Sequence, residues 1–503
     1  MSMVQEKVQG FRDLVKRICS YNEAISIMYW DLRTGAPRKG VEDRSESLGL
    51  LSTDVFKMST SAEMGDFLSF IEQTKDDTID PLTRKMAEDL RKDYDRMVKI
   101  PPDMYREYVI LTSQAETIWT EAKNASDYPK FRPYLEKIIE FNKQFIELYG
   151  YEGHKYNALL DMYEPGLTVE KLDKLFGTLR DRTVPLVKAI SESPNKPDAS
   201  FLKQSFPIEK QKAFNRMIVQ EMGYDFAAGR LDETEHPFEI TINQGDVRIT
   251  TRYVESDFTF ALFSTVHEGG HALYEQNIDP ELKGTNLSSG TSMGIHESQS
   301  RFWENMVARS PEFWIRYYGD LQKAFPEQLQ QVSQEDFIRA VNVSESSLIR
   351  IEADELTYNL HIIIRYEIEK ALFEGSIHTE DLPAVWNQKY KEYLGVEPDS
   401  DKTGILQDTH WSGGSFGYFP SYALGNMYAA QIRHTLKKEM PDMDEKIAKG
   451  DLLPIKDWLK EKIYRYGKKL TPNEIIMSVT GEELNPLYLV EYLEEKYKAV
   501  YKL

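Results

Sequence analysis

Hydrophobic residues recur at spacings of three and four along the first half of the chain. Two series show this most clearly: Val4, Val8, Phe11, Val15 and Ile18, and then Phe131, Leu135, Ile138, Phe145 and Leu148. Such spacing puts the apolar side chains on one face of an α-helix. Residues 168–191 and 207–222 follow the same pattern, as do roughly the last 60 residues. The periodicity therefore predicts a chain built mainly from amphipathic helices.

One segment departs from this helical pattern. Residues 238–242 alternate apolar with polar side chains, residues 243–246 are typical of a turn, and residues 247–251 alternate again. This is the pattern of a β-hairpin. An edge strand of the hairpin could hydrogen-bond an extended peptide, or the hairpin could only brace the helix that follows. The sequence leaves both interpretations open.

The hairpin is followed by a predicted helix with Ser256 or Asp257 as its N-cap. The glycine- and serine-rich residues 284–294 predict a loop, and a second helix is expected from His296 to Ala308. Helices are expected through residues 312–375. Residues 404–426, rich in glycine and aromatics, predict a long functional loop or a broken helix. No linker or clear repeat divides the chain, so we expect one domain over residues 1–503.

The composition is that of an acidic globular protein. The 503 residues include 62 Lys and Arg against 82 Asp and Glu, a net charge of −20. Nucleic acid and anionic membranes are therefore not expected as partners. Cys19 is the only cysteine, which excludes an intramolecular disulfide and fits a reducing cytoplasm. Neither a signal-like N-terminus nor a transmembrane-length apolar run is evident, so we expect a cytoplasmic protein.

Residues 267–271, His-Glu-Gly-Gly-His, carry the strongest chemical signal. Four residues apart on a helix, His267 and His271 project from one face about 5–6 Å apart, so both imidazoles can bind one cation. Glu268 lies roughly 100° round the helix and is a candidate general base for water. The pattern is typical of zinc hydrolases, although a packed helix can carry the pentapeptide by chance.

A catalytic zinc site usually has a third protein ligand. Glu297 lies 26 residues after His271, early in the next predicted helix and beyond the glycine-rich loop that lets the chain turn back. His296 is the rival ligand, but adjacent helical residues point about 100° apart, so only one should face the metal. Asn277 stands where a metzincin needs its third histidine, which excludes that class.

Six short motifs follow one another in order between residues 236 and 411. They are residues 236–238 (HPF), 246–250 (DVRIT), 267–271 (HEGGH), 296–299 (HESQ), 349–354 (IRIEAD) and 404–411 (GILQDTHW). Together they resemble the carboxypeptidase Taq family of zinc metallocarboxypeptidases. Residues 29–31 (YWD) and 161–166 (DMYEPG) also match, so the resemblance covers nearly the whole chain.

The resemblance implies an all-α, mainly helical fold with a small β-sheet beside the active site. Two helical lobes are expected to flank a deep groove, as in neurolysin and angiotensin-converting enzyme. It also implies that Glu297 is the third ligand of one Zn²⁺ per chain, with Co²⁺ as an alternative metal. The expected activity is removal of single residues from peptide C-termini with broad preference, by a homodimer.

Further site residues are expected downstream of the metal ligands. The tetrahedral oxyanion needs hydrogen-bond donors besides the metal. By similarity to the wider group, His410 and either Tyr418 or Tyr422 should fill this role, and packing in an aromatic core is the alternative for each tyrosine. The sequence does not distinguish the two tyrosines.

A carboxypeptidase must also bind the free C-terminal carboxylate, and arginine can do so bidentately. Arg350 is the first candidate and Arg248 the second. The alternative for each is a structural ion pair, of Arg350 with Asp354 and of Arg248 with Asp246. Asp354 and Asp408 are also candidates for orienting a metal-bound imidazole.

Two other functions are compatible with this sequence. An oligopeptidase or dipeptidyl carboxypeptidase on the same fold would differ only in where the groove is closed. A peptide-binding protein with an inactive zinc site belongs to another class. The intact Glu268 argues against it, because binding alone has no use for a base at that position.

Overall fold

The computed structural model describes residues 2–75 and 78–503 and is mainly helical, as the sequence predicts. The helices of the first half are α1 (Met3–Thr34), α2 (Val41–Ser59), α3 (Ala62–Gln73), α4 (Pro81–Met97), α5 (Pro102–Ala125), α6 (Tyr128–Tyr149), α7 (Asn157–Leu160), α8 (Val169–Glu192) and α9 (Ile208–Glu221). Three strands follow: β1 (Leu231–Glu233), β2 (Glu239–Asn243) and β3 (Asp246–Thr251).

The remaining described residues are again helical. The helices are α10 (Phe258–Gln276), α11 (Met293–Arg301), α12 (Pro311–Ala324), α13 (Pro326–Leu329), α14 (Gln334–Ala340), α15 (Glu355–Glu374), α16 (Leu382–Leu394), α17 (Pro420–Glu439), α18 (Met443–Lys449), α19 (Leu453–Lys462), α20 (Pro472–Thr480) and α21 (Leu487–Tyr501). Short 3₁₀ turns lie between several of them. No helix in the described residues is long and apolar enough to span a membrane.

The small sheet has the strand order β1-β3-β2. Strands β2 and β3 form the predicted antiparallel hairpin, with Thr241 opposite Val247. Strand β1 pairs in parallel with β3 and was not predicted, because three residues with two acidic side chains give no alternating pattern. Among residues 2–75 and 78–503, β2 is therefore an edge strand with no strand partner on its outer side.

Helix α10 lies in the core beside β3, α9 and α11. Asp257 is its N-cap, as predicted, and its carboxylate accepts from the backbone N–H of Phe260. Glycine permits the close approach of α11: a Cβ at Gly270 would lie 2.6 Å from the carbonyl oxygen of Gln299, and one at Gly425 would lie 2.5 Å from Cγ of Glu297. Helix α11 is thus held between α10 and α17.

The helix predicted from His296 to Ala308 is present, but it changes from α-helix to π-helix along its length. It begins earlier, at Met293, runs as α-helix to Arg301 and continues as a π-helical segment, Phe302–Ala308. The helices expected over residues 312–375 are interrupted by an irregular stretch that ends in a 3₁₀ turn, Arg350–Glu352. In residues 404–426, an irregular loop leads into α17, which begins at Pro420, so the predicted loop is present and its function remains a prediction.

Candidate metal centre and active site

Three predicted ligands converge between α10 and α11. The Nε2 atom of His267 lies 3.5 Å from the Oε2 atom of Glu297, and Nε2 of His271 lies 3.4 Å from the same oxygen. One ligand atom from each of the three residues lies within 4.8 Å of the others. His296, the rival candidate, does not belong to this group of described residues. The helical geometry that placed the two histidines on one face is therefore confirmed.

The spacing of these atoms fits a small tetrahedral cation. Zinc bound to nitrogen and oxygen at about 2.0–2.1 Å separates neighbouring ligand atoms by roughly 3.3 Å. The separations of 3.5 and 3.4 Å between the two histidines and Glu297 are close to that value. Two imidazoles and one carboxylate are also the donor set of many catalytic zinc sites. The group can hold one divalent metal ion and leave a coordination position open.

Both histidines are oriented by groups behind them. The Nδ1 atom of His267 lies 2.9 Å from Oε2 of Glu304. The Nδ1 atom of His271 lies 2.5 Å from Nδ1 of His296, whose Nε2 lies 3.0 Å from Oε1 of Glu275. These contacts occupy Nδ1 of each ligand and leave Nε2 facing Glu297.

The expectation that Asp354 or Asp408 orients an imidazole is wrong. Asp354 caps α15 by accepting from the backbone N–H groups of Leu356 and Thr357. The carboxylate of Asp408 binds two arginines instead. The residue that orients His267, Glu304, lies seven positions after Glu297 in the π-helical segment.

Glu297 is held in its charged form. Burial disfavours the carboxylate, but the guanidinium of Arg301 and the neighbouring His267 outweigh burial and hold the pKa of Glu297 well below its usual range. The Nε atom of Arg301 donates to Oε1 of Glu297 at 2.7 Å, and Oγ of Ser300 donates to Oε2 at 3.0 Å. Glu297 therefore stays anionic at neutral pH, as a carboxylate that binds a metal ion must.

Glu268 differs from the other acidic residues nearby. Only 7% of its surface is exposed, yet within residues 2–75 and 78–503 its carboxylate has no hydrogen bond or ion pair. Burial raises the pKa of Glu268 to about 7. A cation bound nearby would lower the pKa of Glu268. This carboxylate can accept a proton near neutral pH without first breaking another contact.

The predicted oxyanion donors lie together. The Nε2 atom of His410 lies 3.4 Å from the hydroxyl of Tyr422, and the rings of Tyr418 and Tyr422 meet edge to face with centroids 5.2 Å apart. Burial lowers the pKa of His410 to about 4 and raises that of Tyr422 well above its usual value. All three groups are therefore neutral at pH 7 and can donate hydrogen bonds.

The two candidate arginines differ in position. Arg350 is 5% exposed, and its guanidinium lies 5.1 Å from the ring centroid of Tyr422. It donates to Asp408 through Nε and Nη2, with 2.9 Å from Nη2 to Oδ1, and to the Tyr358 hydroxyl through Nη1 at 3.0 Å. Its expected structural partner, Asp354, is therefore not the partner seen.

Arg248 instead lies on β3. Its Nε and Nη2 donate to the two carboxylate oxygens of Asp246, each at 2.7 Å. Its guanidinium also stacks at 5.4 Å on the ring of Trp30. The structural ion pair that the sequence allowed for Arg248 is thus present.

Tyr358 connects Arg350 to the metal ligands. The guanidinium of Arg301 lies 4.7 Å from the ring centroid of Tyr358, whose hydroxyl accepts from Arg350. Arg301 in turn binds Glu297. Sequence reasoning missed Tyr358 and Arg301. A single sequence gives little indication of which of its 29 tyrosines lies near the site.

A cavity of about 430 Å³ lies beside His296 and Glu275, which support His271, although none of the three candidate metal ligands lines it. Its lining comes from α4, the turn at 161–165, β2, the glycine-rich loop and residues 468–472. The edge strand β2 contributes Glu239, Ile240 and Thr241 to this lining. A cavity with a strand edge along it can accommodate an extended peptide.

Comparison with known proteins agrees with this geometry. The chain matches the family described as carboxypeptidase Taq (M32) metallopeptidase over residues 10–497. It is 55% identical over 493 residues to carboxypeptidase 1 of Bacillus subtilis, covering 98% of each chain. It is 42% identical over 483 residues to thermostable carboxypeptidase 1 of Thermus thermophilus, covering 94% of each.

The fold is matched as well. The crystal structure of an M32 carboxypeptidase from Deinococcus radiodurans R1 has a TM-score of 0.96 to this structure at 37% identity, covering 99% of this chain and 100% of that chain. The resemblance seen in the six motifs is thereby confirmed. The chain belongs to the carboxypeptidase Taq (M32) metallopeptidase family and is a peptide hydrolase.

Proposed function

We propose that this carboxypeptidase is zinc-dependent and removes single residues from peptide C-termini with broad preference, with Glu268 as general base. One observation carries the proposal: Glu268, whose buried carboxylate has no hydrogen bond or ion pair within the described residues, is adjacent to His267, one of three residues that can bind a metal ion. A structural metal site would have no use for a free acid there. The chemistry that zinc supplies at such a site is polarisation of the scissile carbonyl and acidification of water.

Proton transfer and stabilisation of the oxyanion are assigned to side chains of the protein. Glu268 takes the proton of the attacking water and then delivers it to the leaving amine. His410 and either Tyr418 or Tyr422 donate hydrogen bonds to the developing oxyanion, and each well-placed donor contributes about 3–4 kcal/mol. The neutral state of all three side chains supports this role, since only the N–H or O–H form can donate.

Arg350 is the proposed site for the C-terminal carboxylate. Only three of its five N–H groups have hydrogen-bond partners in the described chain, on Asp408 and Tyr358. Two remain for a ligand, the number that a bidentate carboxylate needs. Arg248 is the second candidate, and its pairing with Asp246 makes it less available.

The peptide's N-terminal part would lie in the cavity beside β2, with the strand edge bonding its backbone. The position of β2 in the cavity lining favours a peptide-binding role for the hairpin over a purely bracing role. We further propose that residues 1–503 form one catalytic domain whose two helical lobes flank this groove. The enzyme is expected to act as a homodimer in the cytoplasm, with Co²⁺ as an alternative metal.

The experiment is product analysis of a long peptide by mass spectrometry, with the native enzyme and Glu268→Gln. Single-residue ladders from the C-terminus are expected, whereas removal of dipeptides or internal cleavage would favour the dipeptidyl carboxypeptidase or oligopeptidase alternative. Glu268→Gln should keep its metal, measured by elemental analysis, and lose hydrolysis. Activity above a few per cent of native in that variant would rule out the base assignment.

A further inference from the structure

Arg365 is a fully buried cation in the middle of α15. None of its surface is exposed. Its Nε donates to Oδ2 of Asp408 at 2.7 Å, its Nη2 to Oε1 of Gln407 at 2.8 Å, and its Nη1 to the carbonyl of His361 at 2.7 Å. Nη1 also donates to the Tyr390 hydroxyl at 3.2 Å. With no exposed surface and these four hydrogen bonds, Arg365 cannot reach substrate.

Asp408 is shared between two arginines. Its Oδ1 lies 2.9 Å from Nη2 of Arg350, and its Oδ2 lies 2.6 Å from Nη2 of Arg365. Burial disfavours the charged carboxylate, but Arg365 and Arg350 outweigh burial and hold the pKa of Asp408 below its usual range. The cluster of Arg350, Asp408 and Arg365 therefore carries a net charge of +1 at neutral pH.

Among the other titratable groups near the cluster, Glu369 interacts with Arg365, and burial raises its pKa to about 7, so it is only partly charged at neutral pH. Burial lowers the pKa of His361 well below neutrality, as it lowers that of His410, so both imidazoles are uncharged. Lys123 is a further cation that interacts with Asp408, and its ammonium donates to the backbone carbonyl of Gln407 at 2.8 Å. It is only partly buried, so solvent screens it more than the two arginines.

Without Arg365, the charge of Asp408 would cancel that of Arg350. The anionic C-terminus of the peptide would then face a neutral ion pair instead of a net positive charge. In a buried site, where solvent screening is weak, that difference in charge strongly affects binding. Arg365 also fixes position: Oε1 of Gln407 accepts from both Nη2 of Arg365 and the backbone N–H of Arg350. Charge and placement of Arg350 thus both depend on this buried residue.

We propose that Arg365 is the internal counterion of Asp408, so that the positive charge of Arg350 is not cancelled and can bind the peptide's C-terminal carboxylate. Arg365 is then a positioning residue that sets specificity for free C-termini without touching substrate. This inference rests on the proposed function, in which Arg350 binds that carboxylate.

The test compares one short peptide with a free C-terminal carboxylate and its C-terminal amide. For Arg365→Met we expect KM for the free acid to rise on the order of 10- to 100-fold, with kcat changed much less. Turnover of the amide should be nearly unaffected. Arg365→Lys retains the charge and should recover most of the loss in KM.

The double variant Arg365→Met/Asp408→Asn removes the carboxylate together with its counterion. Arg350 then contributes the same net charge of +1, so KM for the free acid should return towards the native value. The double variant leaves no buried anion short of a partner, so it remains the decisive protein if Arg365→Met alone does not fold. Lys123→Met is the matched control and should change KM by less than about threefold, because its charge is screened.

Two results would overturn the role of Arg365. One is a folded Arg365→Met enzyme with native KM for the free acid. The other is a folded double variant whose preference for the free acid over the amide is no greater than that of Arg365→Met. If only the double variant folds, loss of its preference for the free acid over the amide is the contradicting result. Failure of the native enzyme itself to prefer the free acid would instead reject the underlying carboxylate site.

Discussion

The Nδ1 atom of His267 lies 2.9 Å from the carboxylate of Glu304. This contact fixes the ring so that Nε2 faces Glu297, the arrangement that metal binding needs. Arg301 and Arg309 hold Glu304 in turn, at 3.3 and 3.1 Å. Burial disfavours the charge on Glu304, yet its partners hold the pKa of the carboxyl at about 2. Glu304 is thus a permanent anion behind the metal ligand.

Glu304→Gln should weaken metal binding without removing a ligand. The amide oxygen can still accept from Nδ1–H of His267, but the negative charge that raises the basicity of the imidazole is lost. We expect a decrease of roughly 10- to 100-fold in metal affinity, measured by competition with a chelator. Glu116→Gln, the same substitution at an exposed position, is the control. Unchanged affinity would mean that Glu304 only packs against the ring.

Sequence reasoning identified the three residues that come together as candidate metal ligands, but not the residues that support them. His267, His271 and Glu297 follow from helical spacing and one loop. Glu304 does not, because the change from α-helix to π-helix after Arg301 alters which residues share a face. Local spacing could not anticipate that change.

Arg365 did leave a signal in the sequence. It follows Ile362, Ile363 and Ile364 in a helix, and a charge within an apolar run implies a buried partner. That partner, Asp408, lies 43 positions away in a loop whose path depends on tertiary packing. Pairings across such distances could not be read from one sequence.

Arg350→Met should raise KM for peptides with a free C-terminus on the order of 100-fold, since the bidentate contact to the carboxylate is lost. Arg248→Met is the matched control. Its guanidinium already pairs with Asp246, so the substitution should mainly lower stability. Steady-state kinetics and thermal melting separate the two effects. The reverse result, with KM raised only by Arg248→Met, would transfer the carboxylate site to the sheet.

Gly270→Ala should destabilise the packing of α11 on α10. The added Cβ would lie 2.6 Å from a carbonyl oxygen and 2.7 Å from Cα of Ser300, both backbone atoms that cannot move aside. Overpacking of this kind costs about 1–3 kcal/mol, so Tm should fall. Gly269→Ala is the control: its Cβ would meet the Val219 side chain at 3.2 Å, and alanine favours helix by about 1 kcal/mol. Equal Tm values for the two variants would contradict the close approach.

Glu369 makes stability depend on pH through the loop that carries His410. The carboxylate is fully buried and accepts from the Tyr156 hydroxyl, from Nε1 of Trp411 at 2.6 Å and from the Gly417 N–H at 2.8 Å. Burial nevertheless raises its pKa to about 7, from an ordinary value of 4.5. The folded protein therefore holds this proton more tightly than the unfolded chain does. Its contribution to stability is complete below about pH 4.5 and is lost as pH rises to about 7, by up to roughly 3 kcal/mol.

Glu369→Gln cannot ionise, so it should remove that part of the pH dependence. Its amide group faces three donors and costs a constant amount of stability. The difference in Tm between native protein and Glu369→Gln should therefore shrink as pH rises from 5 to 8, measured by thermal melting at matched ionic strength. Glu116→Gln is the control for the exchange itself. A Tm difference that stays constant or grows with pH would mean that the three donors outweigh burial and keep Glu369 ionised throughout.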